Sequence, residues 1–244
     1  MKKGKMGKIF GIALVFVIIG LVSVSGGIAN TSHVHAASLS VPSFKQCDSR
    51  WGANQLGTCS SETICSAGCA VTSVAMILKY YGVATDPGDL NNWLKNNSGY
   101  ASGCLIIWDK ADDRSGGSVQ WAGKYTTEPG DLGTHVSPSE LQNQVKWEID
   151  HGYPCVGRDT TYTSHFVVIT GYSDSLYYIN DPYYDRSTVS KSLITRIYTY
   201  HSTSLLPPPA LSSPSNGQTG VSTTPTFSWS SVSGANRYWL MVAT

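Results

Sequence analysis

The chain reads as an α+β protein: helical periodicity fills its front half, β-branched and aromatic runs fill its back half, and the two are not interleaved. The first helix is predicted from Cys69, where Ala70, Val74, Ile77, Leu78 and Tyr81 recur at helical spacing and imply one face in the core. Gly82 is its natural stop. A second helix is expected over Pro87–Lys95, with proline at its start and Leu90, Trp93 and Leu94 on one side. Ser137-Pro138-Ser139-Glu140 has capping-box spacing ahead of a third, Leu141–Asp150. From Tyr153 to Tyr200 the segments turn strand-like and predict an antiparallel sheet. The Gly-, Asp- and Thr-rich stretch 109–136 reads as a long loop.

Two strand-like runs carry the first chemical signal. His165-Phe166-Val167-Val168-Ile169-Thr170-Gly171 and Leu176-Tyr177-Tyr178-Ile179-Asn180-Asp181 flank the turn Tyr172-Ser173-Asp174-Ser175 and predict a hairpin. Folding about Ser173 pairs position i with 346 − i, which sets His165 across from Asp181 on one face. A change of one residue in the loop moves the partner to Asn180 or Pro182, so register decides which residue holds the imidazole. Cys69 is the second signal, because a sulfur in the first turn of a helix faces unpaired N–H groups and the positive end of the helix dipole. Both favour thiolate, and a nucleophile, base and orienter can then be drawn from Cys69, His165 and the acid. The other histidines have blander readings. His33 and His35 precede the folded part, His135 lies in a polar loop, His151 ends a helix, and His201 follows the last strand.

Four ordered segments resemble one family. Val41-Pro42, Gln46 and Trp51-Gly52 come first, then Gly68-Cys69-Ala70-Val71-Thr72-Ser73 with Met76 and Tyr80-Tyr81-Gly82. His165–Gly171 and Asn180-Asp181-Pro182 complete the set. Together they resemble the papain-like cysteine peptidases related to the double-glycine leader peptidases of bacteriocin exporters, in a secreted, stand-alone form. The likeness spans roughly residues 40–200. It implies a papain-like fold, with a cleft between a helical lobe and an antiparallel sheet. It also implies Cys69 as nucleophile, His165 as general base and acid, Asp181 as orienter and Gln46 as oxyanion donor. Gln46 precedes Cys69 by 23 residues, with a cysteine-rich insertion between them, which departs from the family pattern. Nothing resembles the exporters' membrane domain or ATPase, so their leader substrate is not implied. The expected partner is a peptide or protein substrate. A non-catalytic peptide- or cell-wall-binding module, and a cell-wall peptide hydrolase or acyltransferase, are the alternatives.

Residues 1–36 read as a secretory signal peptide: Lys2, Lys3, Lys5 and Lys8, an apolar run from Ile9 to Val24, and Val34-His35-Ala36 before Ala37. An uncleaved anchor is the alternative. Removing this segment takes four lysines and no acids, so the formal charge passes from +1 to −3, which argues against nucleic acid as a partner. The exterior of a bacterial cell is thus the expected location, the membrane is met only through the signal, and a monomer is expected. Such a location permits disulfides among the six cysteines. Cys69 is reserved and Cys155 sits in an apolar run, leaving Cys47, Cys59, Cys65 and Cys104, of which Cys59–Cys65 is the easiest to close. Neither the cysteine spacing nor Asp109, Asp112 and Asp113 fits a zinc or calcium site, so no metal or cofactor is expected. The peptidase-like domain is assigned to residues 37–205, a Pro-rich linker to 206–213, and the incomplete start of a fibronectin type III or immunoglobulin-like β-sandwich to 214–244.

Overall fold

The computed structural model of the 244-residue chain describes residues 38–203, 210–215 and 218–231. The signal segment, the first half of the linker and residues 232–244 of the expected sandwich start lie outside the described residues.

A short helix, α1 (Ile64–Ala67), leads through Gly68 into α2 (Cys69–Tyr80), and α3 (Pro87–Asn96) follows. Next come the small hairpin β1 (Tyr100–Ala101) and β2 (Leu105–Ile106), then α4 (Trp108–Ala111), which runs on as a 3-10 turn. The chain continues through β3 (Val119–Thr126), β4 (Thr134–His135), α5 (Pro138–Asp150) and β5 (Cys155–Asp159). It closes with β6 (His165–Tyr172), β7 (Leu176–Asn180), β8 (Thr188–Ser190) and β9 (Ile194–Ser202). Separately, β10 (Leu211–Ser213) and β11 (Ser228–Trp229) form an antiparallel pair with Leu211 opposite Trp229.

The large sheet has seven strands in the order β4-β3-β9-β5-β6-β7-β8. Every pair is antiparallel except β3–β4, so the sheet is mixed where a wholly antiparallel one was expected. The expected loop 109–136 is also corrected, since it contains β3, which pairs with β9 from Val119–Ser202 to Thr126–Arg196. Composition concealed this strand. Gly123, at φ 138°, makes a bulge in it, and only Val119 and Thr126 of its eight residues are fully buried.

Two of the helices carry the end signals named above, and the third is capped by a residue just ahead of its proline. Asp86 caps α3 through the Asp89 N–H, and Ser137 and Glu140 form the reciprocal capping box of α5. At the end of α2, Gly82 adopts φ 87°, and the N–H groups of Gly82 and Val83 bond back to Lys79 and Leu78, a Schellman arrangement that needs a residue tolerant of positive φ. The one-face expectation for α2 is revised. Cys69 and every residue from Val71 to Leu78 are buried, because α2 packs on β6 on one side and on α3 on another. Burying Val74, Ile77 and Leu78 stabilises the fold by about 1.5–3 kcal/mol each, which fixes the helix that presents the thiol.

Disulfides join Cys47 to Cys65 and Cys59 to Cys104, not Cys59 to Cys65. Short separation did not decide the pairing. The segment around Cys59 is closed by the Leu56 N–H on the Glu62 carbonyl and held to the β1–β2 turn by the Thr58 N–H on Gly103, both at 2.8 Å. Cys65 lies instead in α1, facing the Cys47 loop. Cys155 is free and wholly buried, and Cys69 is free.

Candidate active site

Three segments bring their side chains to one cleft of about 810 Å³, lined among others by Gln46, Cys69, Trp108, Tyr162, His165 and Tyr184. Cys69 opens α2 directly after Gly68. Its Sγ lies 3.6 Å from the Ser164 carbonyl, next to the start of β6, and Ser73 one turn later bonds the Phe166 carbonyl at 3.3 Å. The helix is therefore pinned across the strand that begins with His165.

The β6–β7 register is not the one expected. Val168 lies opposite Asn180 and Ile169 opposite Ile179, a pairing of i with 348 − i, and a bulge at Thr170 changes it again toward the turn. The departure from 346 − i is two residues, an even number, so the faces are preserved. Asp181 thus meets His165 diagonally, just past the end of β7, and not directly across. Its Oδ1 accepts from His165 Nε2 at 2.8 Å and from the N–H groups of Tyr183 and Tyr184 at 2.9 and 3.0 Å. Its Oδ2 accepts from Arg186 Nε at 2.6 Å. Asn180, the alternative orienter, instead donates to the Val41 carbonyl at 2.9 Å.

With Nε2 committed to Asp181, the imidazole shares the cleft with the Cys69 side chain and feels its charge. Burial alone would lower the His165 pKa. The interactions with Asp181 first, and with Cys69 after it, outweigh burial and raise the value to about 9. Burial likewise opposes ionisation of Asp181, but His165, the Tyr183 N–H and Arg186 bring its carboxyl down to about 2. A raised histidine stabilises the fold fully below its ordinary 6.5 and loses that contribution as pH climbs through about 9. A lowered aspartate contributes above its ordinary 3.8 and loses it as pH falls through about 2. The melting-temperature advantage of the native protein over His165→Ala is therefore expected to be greatest between 3.8 and 6.5 and to shrink toward pH 9. A difference that stays flat across that range would contradict the linkage.

Gln46 is 3% exposed and lines the same cleft. Its Nε2 donates to the Cys65 carbonyl at 2.6 Å, and its backbone N–H bonds the Pro182 carbonyl at 2.8 Å. The Cys47–Cys65 bridge joins the residue after Gln46 to the helix that leads into Cys69. Flipping the amide would set Oε1 against the Cys65 carbonyl, so its orientation is determined. The insertion between Gln46 and Cys69 thus does not separate them in space.

The other described histidines lie elsewhere. His135 bonds the Asp131 carbonyl, His151 the Trp147 carbonyl, and His201 pairs with Glu148 at 2.8 Å. Sequence reasoning missed Arg186 and Asp159. Neither carries a local motif, and Asp159 is legible only once the β5–β6 register, which sets it opposite His165, is known.

A seven-stranded mixed sheet, a buried helix presenting a free cysteine, and a histidine–carboxylate pair at the same cleft define a mixed α/β domain. The chain belongs to the Peptidase_C39 like family, whose model matches residues 38–203. It is 29% identical to YvpB of Bacillus subtilis strain 168, a protein itself uncharacterised, over 48% of this chain and 58% of that one. The chain thus spans little more than half the length of that curated relative. A solved structure described as a C39-like peptidase from Bacillus anthracis is 17% identical, with a TM-score of 0.42, over 66% of this chain and 96% of its own. A double-glycine motif protease from an AMS/PCAT transporter, solved with its leader peptide, is 16% identical with a TM-score of 0.41, over 68% of this chain and 94% of its own.

Proposed function

We propose that this chain is a secreted cysteine peptidase that hydrolyses peptide bonds through Cys69, His165, Asp181 and Gln46. One observation carries the reading: the His165 imidazole is held by Asp181 at 2.8 Å and lines one cleft with the free Cys69. Family membership supports a peptide as the substrate. In this reading residues 1–36 are the signal peptide, 37–205 the papain-like domain with helices on one side of the cleft and sheet on the other, 206–213 the linker, and 214–244 the start of a β-sandwich.

The Cys69 sulfur, its proton passed to His165, attacks the scissile carbonyl carbon. The oxyanion that forms is met by the Gln46 Nε2 hydrogen not used on Cys65 and by the Cys69 backbone N–H, since the first N–H groups of a helix have no acceptor within it. His165 returns its proton to the leaving amine. Water then attacks the thioester, giving its proton to the imidazole, and the acid product leaves as the thiol is restored. Asp181 keeps the ring oriented throughout.

Gln46→Ala is expected to lower kcat by about 10²–10³ with little change in KM, because the donor serves the transition state more than the bound substrate. Steady-state kinetics on a cleaved library peptide measure this, and a variant matching the native kcat would remove Gln46 from the mechanism. The reading as a whole is tested by iodoacetamide at pH 6 combined with profiling of cleaved peptides by mass spectrometry. Cys69 should be the site alkylated, with parallel loss of cleavage. Active protein in which alkylation leaves Cys69 untouched would overturn it.

A further inference from the structure

Two buried carboxylates lie beside the start of β6, and only one of them holds the His165 imidazole. Asp159 faces His165 directly across the β5–β6 register, and Asp181 meets it diagonally from the end of β7. The side chains of both acids are fully buried. Asp159 is fully occupied by other groups. Its Oδ1 accepts from the Thr161 N–H at 2.8 Å and hydroxyl at 2.6 Å, and its Oδ2 accepts from the Arg186 guanidinium. The same guanidinium donates through Nε to Asp181 at 2.6 Å.

The planar, branched shape of arginine lets one cation serve two acids at once, which a lysine ammonium does less well. Arg186 is also braced by rings that line the cleft. It lies 5.0 Å from the centroid of Tyr162 and 5.8 Å from that of Tyr184. These rings stack on each other at 4.0 Å and turn their faces or edges to His165 at 5.8 and 5.3 Å. Lys45 does not duplicate the role, because it bonds the Asp181 and Tyr184 backbone carbonyls and pairs with Asp185.

We infer that Arg186 is a positioning residue for the reaction proposed above, on which this inference rests: it leaves Asp181 for the imidazole and keeps Asp159 from competing for it. Without the guanidinium, two like charges would remain buried with no cation between them, and Asp181 would lose one of the partners that hold its carboxyl low. The groups facing this cluster are Asp159, Thr161 and Tyr162 from the β5 side, Asp181, Tyr184 and Lys45 from the β7 side, and Cys69 from α2.

Arg186→Gln in the full chain is expected to lower kcat about 10- to 100-fold, with KM within about threefold, on a peptide that the native protein cleaves. Its pH profile of kcat/KM should show an acid limb displaced upward. Arg186→Lys should recover part of kcat. Asp159→Asn combined with Arg186→Gln removes the second acid along with the cation, so it should fold, cleave within about tenfold of the native rate and regain the native acid limb. Native kcat and pH profile in Arg186→Gln would overturn the inference. If that variant does not fold, a folded but inactive double variant would overturn it equally. A native protein that cleaves no peptide and resists alkylation at Cys69 refutes the peptidase reading itself, whereas a cleaving enzyme indifferent to Arg186 refutes only the positioning role.

Discussion

His165→Ala is expected to reduce peptide cleavage by about 10⁴-fold or more and to slow alkylation of Cys69 at pH 6 in step. The imidazole shares the cleft with the Cys69 sulfur and is held by the Asp181 carboxylate, and it is protonated well past neutrality because its value is raised to about 9. A free thiol without such a partner is ionised to well under about 1% at pH 6. In the proposed mechanism, removing the ring takes away the proton acceptor in the first half of the reaction and the donor to the leaving amine. It also leaves Asp181 without its imidazole, although Arg186 and the Tyr183 and Tyr184 N–H groups still satisfy that carboxylate. The variant should accordingly fold. Cleavage within tenfold of native by a folded His165→Ala protein would exclude the mechanism.

Gly68→Ala is expected to be strongly damaging although it leaves every cleft side chain in place. A Cβ at Gly68 would press on the Ile64 carbonyl oxygen and lie 2.8 Å from Ile64 Cα, so backbone, not a flexible side chain, must move. The strain is steric and not a matter of handedness, since Gly68 sits at φ −87°. Overpacking of this kind costs about 1–3 kcal/mol, and a shift of about 1 Å in the reacting sulfur costs about 10²-fold in rate. Denaturant unfolding and kcat would together measure both. An alanine variant with native stability and full activity would show that α1 and α2 are not in rigid contact there.

Much of this site can be read in one dimension because its parts depend on local rules. Gly68-Cys69 announces a helix start, Ser137 and Glu140 a capping box, and the turn at 173–175 a hairpin. What failed was long-range. Near the turn β6 and β7 pair three residues away from the expected register, the bulge at Thr170 takes back one, and Asp181 reached the face of His165 because the net departure is even. β3 stayed hidden since its partner β9 lies some seventy residues away, and a glycine and polar residues break its alternation. Closeness in sequence misled for Cys59–Cys65, where loop folding matched each sulfur to a remote segment. Arg186 and Asp159 had no signature at all, since their importance exists only after three strands are aligned beside one another.

The Cys47–Cys65 link has a practical side. A mercaptan added to protect a free thiol would in this molecule also attack the staple that ties the Gln46 arm to the helix that starts at Cys69. Cys155 is sealed in the interior. Reduction would therefore release the arm that carries Gln46 while leaving Cys69, which is in neither bridge, as it is.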